Sequence, residues 1–128
     1  MIEPHFTVSR TGPNSLRVSI SGALDAITME AGLQAMSLEM EGMAHGDLLI
    51  VDQGAEWPSL GAIGVELRHW PQLMAMLHQI DRAALVSHNQ IFRAAAAVES
   101  VLIPGYEIRS FNDEASATAW LEEARSLV

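Results

Sequence analysis

The sequence contains no cysteine. Disulfides, thiolate nucleophiles and cysteine-ligated metals are therefore excluded. It contains no lysine either. Its seven basic residues are all arginine, set against 16 acids, for a formal charge of −9. The arginines, at 10, 17, 68, 82, 93, 109 and 125, are spread along the chain. A phosphate-binding surface needs clustered positive charge, so nucleic acid and anionic membrane surfaces are poor partners. No stretch approaches the roughly 18–20 apolar residues that span a bilayer. Met1-Ile2-Glu3-Pro4-His5 lacks the basic start and apolar run of a signal peptide. A cytoplasmic setting is the expectation. The histidines give no metal signal: His69 and His78 share no helix face cleanly, and His45 and His88 fall in loops.

What is present is ordinary for a globular chain: 49% hydrophobic and 18% charged residues in 128 positions. Such a length fits a single domain over 1–128. It can bury roughly two-thirds of its unfolded surface. The acids Glu39, Glu41, Glu56, Glu66, Asp113, Glu114, Glu122 and Glu123 read as a solvated exterior, and any partner they recruit would be basic.

Two hydrophobic periods alternate along the chain. Phe6–Arg10 and Leu16–Ser21 alternate apolar and polar, the strand period, around the turn cluster Thr11-Gly12-Pro13-Asn14. They predict an N-terminal hairpin. Leu48-Leu49-Ile50-Val51 and Ala83-Ala84-Leu85-Val86 are short continuous apolar runs, suited to strands buried on both faces. Tyr106–Phe111 alternates again, and Gln53–Pro58 reads as a loop. Between these lie helical patterns. Over 27–43, capped by Thr28, Met29, Leu33, Met36, Met40 and Met43 form one stripe. Over 59–78, Ile63, Leu67, Trp70, Met74 and Leu77 form another, which Pro71 breaks or kinks near His69–Trp70. Over 90–102, Ile91, Ala94, Ala95, Val98 and Leu102 face inward. Asn112 caps a last helix over 113–126. The order β-β-α-β-α-β-α-β-α predicts an α/β domain with a five-stranded, mostly parallel sheet, an antiparallel hairpin at its start, and four helices.

That order resembles the SpoIIAA-like family of STAS/SEC14-type domains. The resemblance is carried by Gly22-Ala23-Leu24, Leu48–Asp52, Trp57-Pro58-Ser59-Leu60-Gly61-Ala62, Ile80–Val86, Glu107–Phe111 and Ala119-Trp120-Leu121. It implies a βα superhelix with helices mainly on one face. It also implies one of two functions: a phospho-regulated protein switch, or a carrier of an apolar ligand.

In anti-sigma-factor antagonists of STAS type a serine at the start of the second helix is phosphorylated, and Ser59 matches that place. The surrounding Trp57-Pro58-Ser59-Leu60-Gly61 departs from the switch motif, lacking its aspartate and second hydroxyl. Capping preference favours a plain N-cap role for Ser59. A lipid or other apolar small molecule would sit between the second and third helices and the sheet, with Met36, Met40, Trp57, Ile63, Leu67, Trp70, Met74 and Phe92 as lining residues. Ordinary core packing explains the same spacing, so both readings stay open. A hydrolase is the third class: Asp52, Ser59 and His88 fall near the carboxyl ends of strands. No Gly-x-Ser-x-Gly elbow is present, and Gly61-Ala62-Ile63-Gly64 lacks the pattern of a dinucleotide loop. The expectation is a non-enzymatic binding or regulatory module without a cofactor. Trp57 and Trp70 could also leave an apolar patch for a homodimer.

Overall fold

The structure, a computed structural model, describes residues 3–43, 45–56, 59–102 and 105–126, with only the backbone at 99, 100, 102 and 124–126. The alternating N-terminal segments pair antiparallel as β1 (His5–Gly12) and β2 (Ser15–Ala23). Phe6 lies opposite Ile20, and Val8 opposite Val18. From β2 onward each strand runs parallel to the one before it: β3 (Gly46–Glu56), β4 (Ile80–Val86) and β5 (Glu107–Phe111). β3 is longer than its apolar run and takes in residues 53–56, expected as loop. Its pairing with β2 continues past a bulge to Ala23 opposite Glu56.

The spatial order of the sheet is the sequence order, β1-β2-β3-β4-β5. This decides where the helices go. Parallel crossovers are right-handed in about 98% of cases. Successive crossovers that all advance in one direction must therefore stack on one face. α1 (Ala26–Glu39), α2 (Leu60–Arg68), α3 (Trp70–His78) and α4 (Gln90–Leu102) do so. On that inner face Leu16, Val18, Leu48, Leu85 and Ile108 from the strands meet Met36, Met40, Met43, Met76, Leu77 and Ala96. α5 (Glu114–Ser126) follows the last strand, is not a crossover, and takes the outer face. There Ala117 and Leu121 pack on Ala84 and Val86.

The methionine stripe of α1 is buried as its period requires. Met29, Leu33, Met36, Met40 and Met43 are all at most 6% exposed. The helix itself ends at Glu39, sooner than the stripe. Arg10 closes that end: its Nη1 donates to the carbonyls of Glu39 and Glu41, both at 3.2 Å, supplying partners that helix C-termini otherwise lack. The start also differs from expectation. Asp25 is the cap, its Oδ1 accepting the Thr28 amide at 2.8 Å, while Thr28 sits inside the first turn. At α5 the cap is Asp113, which accepts the Ser116 amide at 2.7 Å. Asn112 instead accepts from Arg93.

The helical segment over 59–78 is broken where Pro71 is expected to break or kink it, giving two helices, so the helices number five, not four, among the described residues. The break falls at His69 (φ −96, ψ 13), and Pro71 stands in the first turn of α3. Proline supplies no amide to continue the ladder across the joint. Leu77 holds its expected buried place, while the rest of the expected stripe is displaced by about one residue. The buried side runs through Ala62, Val65, Met76 and Leu77, whereas Leu67 is 64% and Trp70 47% exposed. α2 rests on α1 through Ala62 and Val65, which meet Met29 and Leu33. Close approach of two helices selects the small residue, not the large one. α4 lies on the sheet beside β5 with a face shifted from the expected one: Ala96 is buried and Phe92 packs on the core, while Ile91, Val98, Ala94 and Ala95 face solvent, and the Leu102 side chain lies outside the described residues.

Candidate functional site

Central strands of a sheet covered by helices are expected to bury their inner face fully. Ile20 of β2 and Ile50 of β3 do not; both are only half-buried. α1 on one side and α2–α3 on the other leave a cleft of about 220 Å³ above them. Val18, Ile20, Leu48 and Ile50 form its floor, Met29, Leu33 and Met36 of α1 one wall, and Leu73 and Leu77 of α3 the other. Phe6, Leu24 and Tyr106 complete an almost wholly apolar lining.

The exception is Glu66. It falls on the inward side of α2, next to Val65 and between Ala62 and His69, and it lines the cleft. Burial raises its pKa above the ordinary carboxylate range, because the charged form loses water. No hydrogen bond or ion pair to Glu66 is found among the described residues. The two basic groups nearest it in sequence turn elsewhere: Arg68 Nη2 and His69 Nε2 each lie 3.5 Å from Glu30. Contrary to the expectation that the histidines carry no metal signal, Glu66 and His69 have the Glu-x-x-His spacing that carboxylate–histidine metal sites use. No group of three or more potential metal ligands gathers around them or elsewhere among the described residues.

Of the residues expected to line a ligand site, Met36 lines this cleft. Met40 is buried in the main core, and Met74 and Phe92 pack against it. Ile63 is half-buried and not part of the lining, and Leu67 and Trp70 project into solvent. Trp57 lies outside the described residues. The cleft therefore falls between the first and second predicted helices, not the second and third. Glu66, expected on the solvated acidic exterior, instead lines the cleft. Its signal was positional: it shares the helical phase of Ala62, Val65 and Leu73.

Ser59 is exposed and caps α2, its Oγ accepting the Ala62 amide at 3.1 Å while its own amide donates to Leu24 O at 2.9 Å. Asp52 meets neither Ser59 nor His88 in any described hydrogen bond. Its Oδ2 accepts from the buried Ser87 hydroxyl at 2.7 Å, and its Oδ1 accepts the amides of Gly54 and Ala55. Sheets that bind ligands at their carboxyl edge do so where strand order reverses, and this order never reverses.

A larger groove of about 500 Å³ lies on the outer face, beside β2 and α5. Its one arginine, Arg17, is held by Glu114 Oε1 at 2.7 Å and by Ser19 Oγ at 2.6 Å. Its charge is already matched within the protein. The smaller cleft, with uncovered apolar floor and an unmatched carboxyl, is the better candidate. No helix among the described residues is long and apolar enough to cross a membrane.

The sequence model of the SpoIIAA-like family matches residues 15–122. The chain is similar in fold to the crystal structure of an uncharacterized protein with a SpoIIAA-like fold from Shewanella loihica. The TM-score is 0.76 at 19% identity, covering 94% of this chain and 97% of that one. No curated protein matches it.

Proposed function

The chain belongs to the SpoIIAA-like family, and from that premise we propose that it is a cytoplasmic, non-enzymatic binding module that holds a small apolar molecule in the cleft between α1 and α2–α3. The observation that carries this reading is the incomplete cover over Ile20 and Ile50. Apolar surface left open on the inner face of a buried sheet forgoes roughly 25 cal/mol per Å² that an occupant would recover. The cleft, at about 220 Å³, exceeds the roughly 150 Å³ of an apolar cavity that admits benzene. It falls short of the roughly 300–1,000 Å³ of sites for drug-sized ligands. A ring or short chain suits it; a two-chain lipid does not. The engagement of both Asp52 oxygens within the protein favours a non-catalytic reading.

Native mass spectrometry of the purified protein, and thermal shift with 1-hexanol and propylbenzene, test the proposal. A bound small species, or stabilisation that Met36→Trp removes by filling the cleft, is the expected result. No bound species and no shift with either probe would sink it.

A second reading, a regulator of another protein acting through Ser59, draws on the exposure of that serine beside Leu60, itself 87% exposed. A pulldown comparing wild type with Ser59→Asp tests it. Identical partner recovery from both would remove the idea.

A further inference from the structure

We infer that the molecule held in the cleft carries a cationic head, a protonated amine in its simplest form, which pairs with Glu66 while its apolar body lies on Ile20 and Ile50. The inference rests on the cleft being a binding site and adds the chemical class of what enters it.

Three observations lead there. Among the described residues Glu66 is the only carboxyl on a lining that is otherwise apolar but for Tyr106. The protein provides it no counter-charge among the described residues, although Arg68 and His69 lie on the same helical turn. Both are committed to Glu30 on α1. A carboxylate partly stripped of water by apolar walls and left without a counter-charge carries a desolvation cost. A bound ammonium group would remove that cost by favouring the charged form, opposing the upward push that burial exerts.

Anionic occupants meet the reverse situation. A fatty-acid carboxylate or phosphate would set like charge beside Glu66, inside a chain of net charge −9. A neutral occupant would gain the apolar contact and leave the carboxylate unmatched. The cleft therefore ranks ligands of equal size by charge: cation first, neutral second, anion last.

Three probes with the same six-carbon chain test the ranking by titration calorimetry at neutral pH: hexylamine, 1-hexanol and hexanoate. Hexylamine should bind at least roughly ten-fold tighter than 1-hexanol, the lower end of what a charge-assisted hydrogen bond supplies, and hexanoate most weakly. Glu66→Gln should bring the amine's affinity down to that of 1-hexanol, and Met36→Trp should abolish saturable amine binding. Hexanol binding as tightly as hexylamine to the wild type, or an amine advantage that survives Glu66→Gln, would overturn the role of Glu66 and leave the cleft reading intact. Amine binding that survives Met36→Trp would place the amine elsewhere and overturn the inference too. If none of the three probes binds, the cleft reading fails and this inference fails with it.

Discussion

Gly32 on α1 sits directly against the ring of Phe6 on β1. A Cβ added there would lie 2.2, 2.4 and 2.5 Å from Cγ, Cδ1 and Cδ2 of that ring. Carbon atoms in contact prefer about 3.5–4.0 Å, so the ring must retreat by more than about 1 Å. Gly32→Ala thus sets two effects against each other. Replacing a mid-helix glycine gains about 1 kcal/mol of helix propensity. Forcing an extra methyl into a packed contact costs about 1–3 kcal/mol, and a half-buried phenylalanine has roughly 1 kcal/mol of burial to lose if it swings outward. The packing cost should win, leaving Gly32→Ala destabilised by about 0.5–2 kcal/mol. In a Phe6→Ala background the obstacle is gone, and the same substitution should stabilise by about 1 kcal/mol. The sign should therefore reverse between backgrounds. Urea denaturation of the four proteins, followed by far-UV circular dichroism, measures this. If Gly32→Ala stabilises the wild type as much as the Phe6→Ala variant, the ring is not seated on the glycine and the reasoning fails.

Ser87→Ala should cost about 1–3 kcal/mol in chemical denaturation, because it strips a donor from Asp52 and an acceptor from the Asn89 amide at a site only 2% exposed. A loss near zero would mean that water replaces both bonds. Ser59→Ala should cost about 1 kcal/mol by orphaning the Ala62 amide, whereas Ser59→Asp should keep the cap and stay close to wild type; equal losses in both would contradict the capping geometry. For Glu66 the folded pKa is raised, so the unfolded chain releases its proton first as pH rises, and ionisation favours unfolding. Glu66→Gln should match wild type in acid, where both side chains are neutral, and exceed it at neutral pH. A gap that is constant across the titration would refute that assignment. Asp25 and Asp113 act in the opposite sense. Their caps lower their pKa values, so their contribution is present at neutral pH and is lost as pH falls through the folded values. Asp25→Asn should flatten the acid limb of the stability profile, and an unchanged limb would argue against the cap.

Much of the architecture was legible in the sequence because strand signals are local. Val8 and Val18, or Leu48 through Val51, declare their environment by alternation or by its absence, whatever the neighbouring helices do. The methionine stripe of α1 was equally legible, since its large residues do face the core. α2 and α4 were harder because bulk misleads where a helix lies close to its support, α1 for α2 and the sheet at β5 for α4. Ala62 and Ala96 take the contact, and Leu67, Trp70 and Ile91 are left outside. The cleft inherits that difficulty. Its walls depend on the angle between α1 and α2–α3, which no periodicity encodes, and the one carboxyl on its described lining, Glu66, reads in the sequence as solvated exterior. Ser59 caps α2 as expected, but at α1 and α5 two polar residues stand near the helix start, and only backbone geometry chooses between them.

The unbroken strand order has a consequence for how the molecule is made. Each strand lies beside the one synthesised just before it, so nothing emerging late from a ribosome must wedge between partners already joined. A nascent chain carries a single growing border, and pairing of near neighbours keeps the entropic cost of each addition low. The border left at completion is β5, only 5 residues long, with Glu107 and Arg109 along it. Shortness and charge are what natural sheets use to stop a stranger from joining. Such an order permits assembly strand by strand, with a short, charged edge at its last-made side.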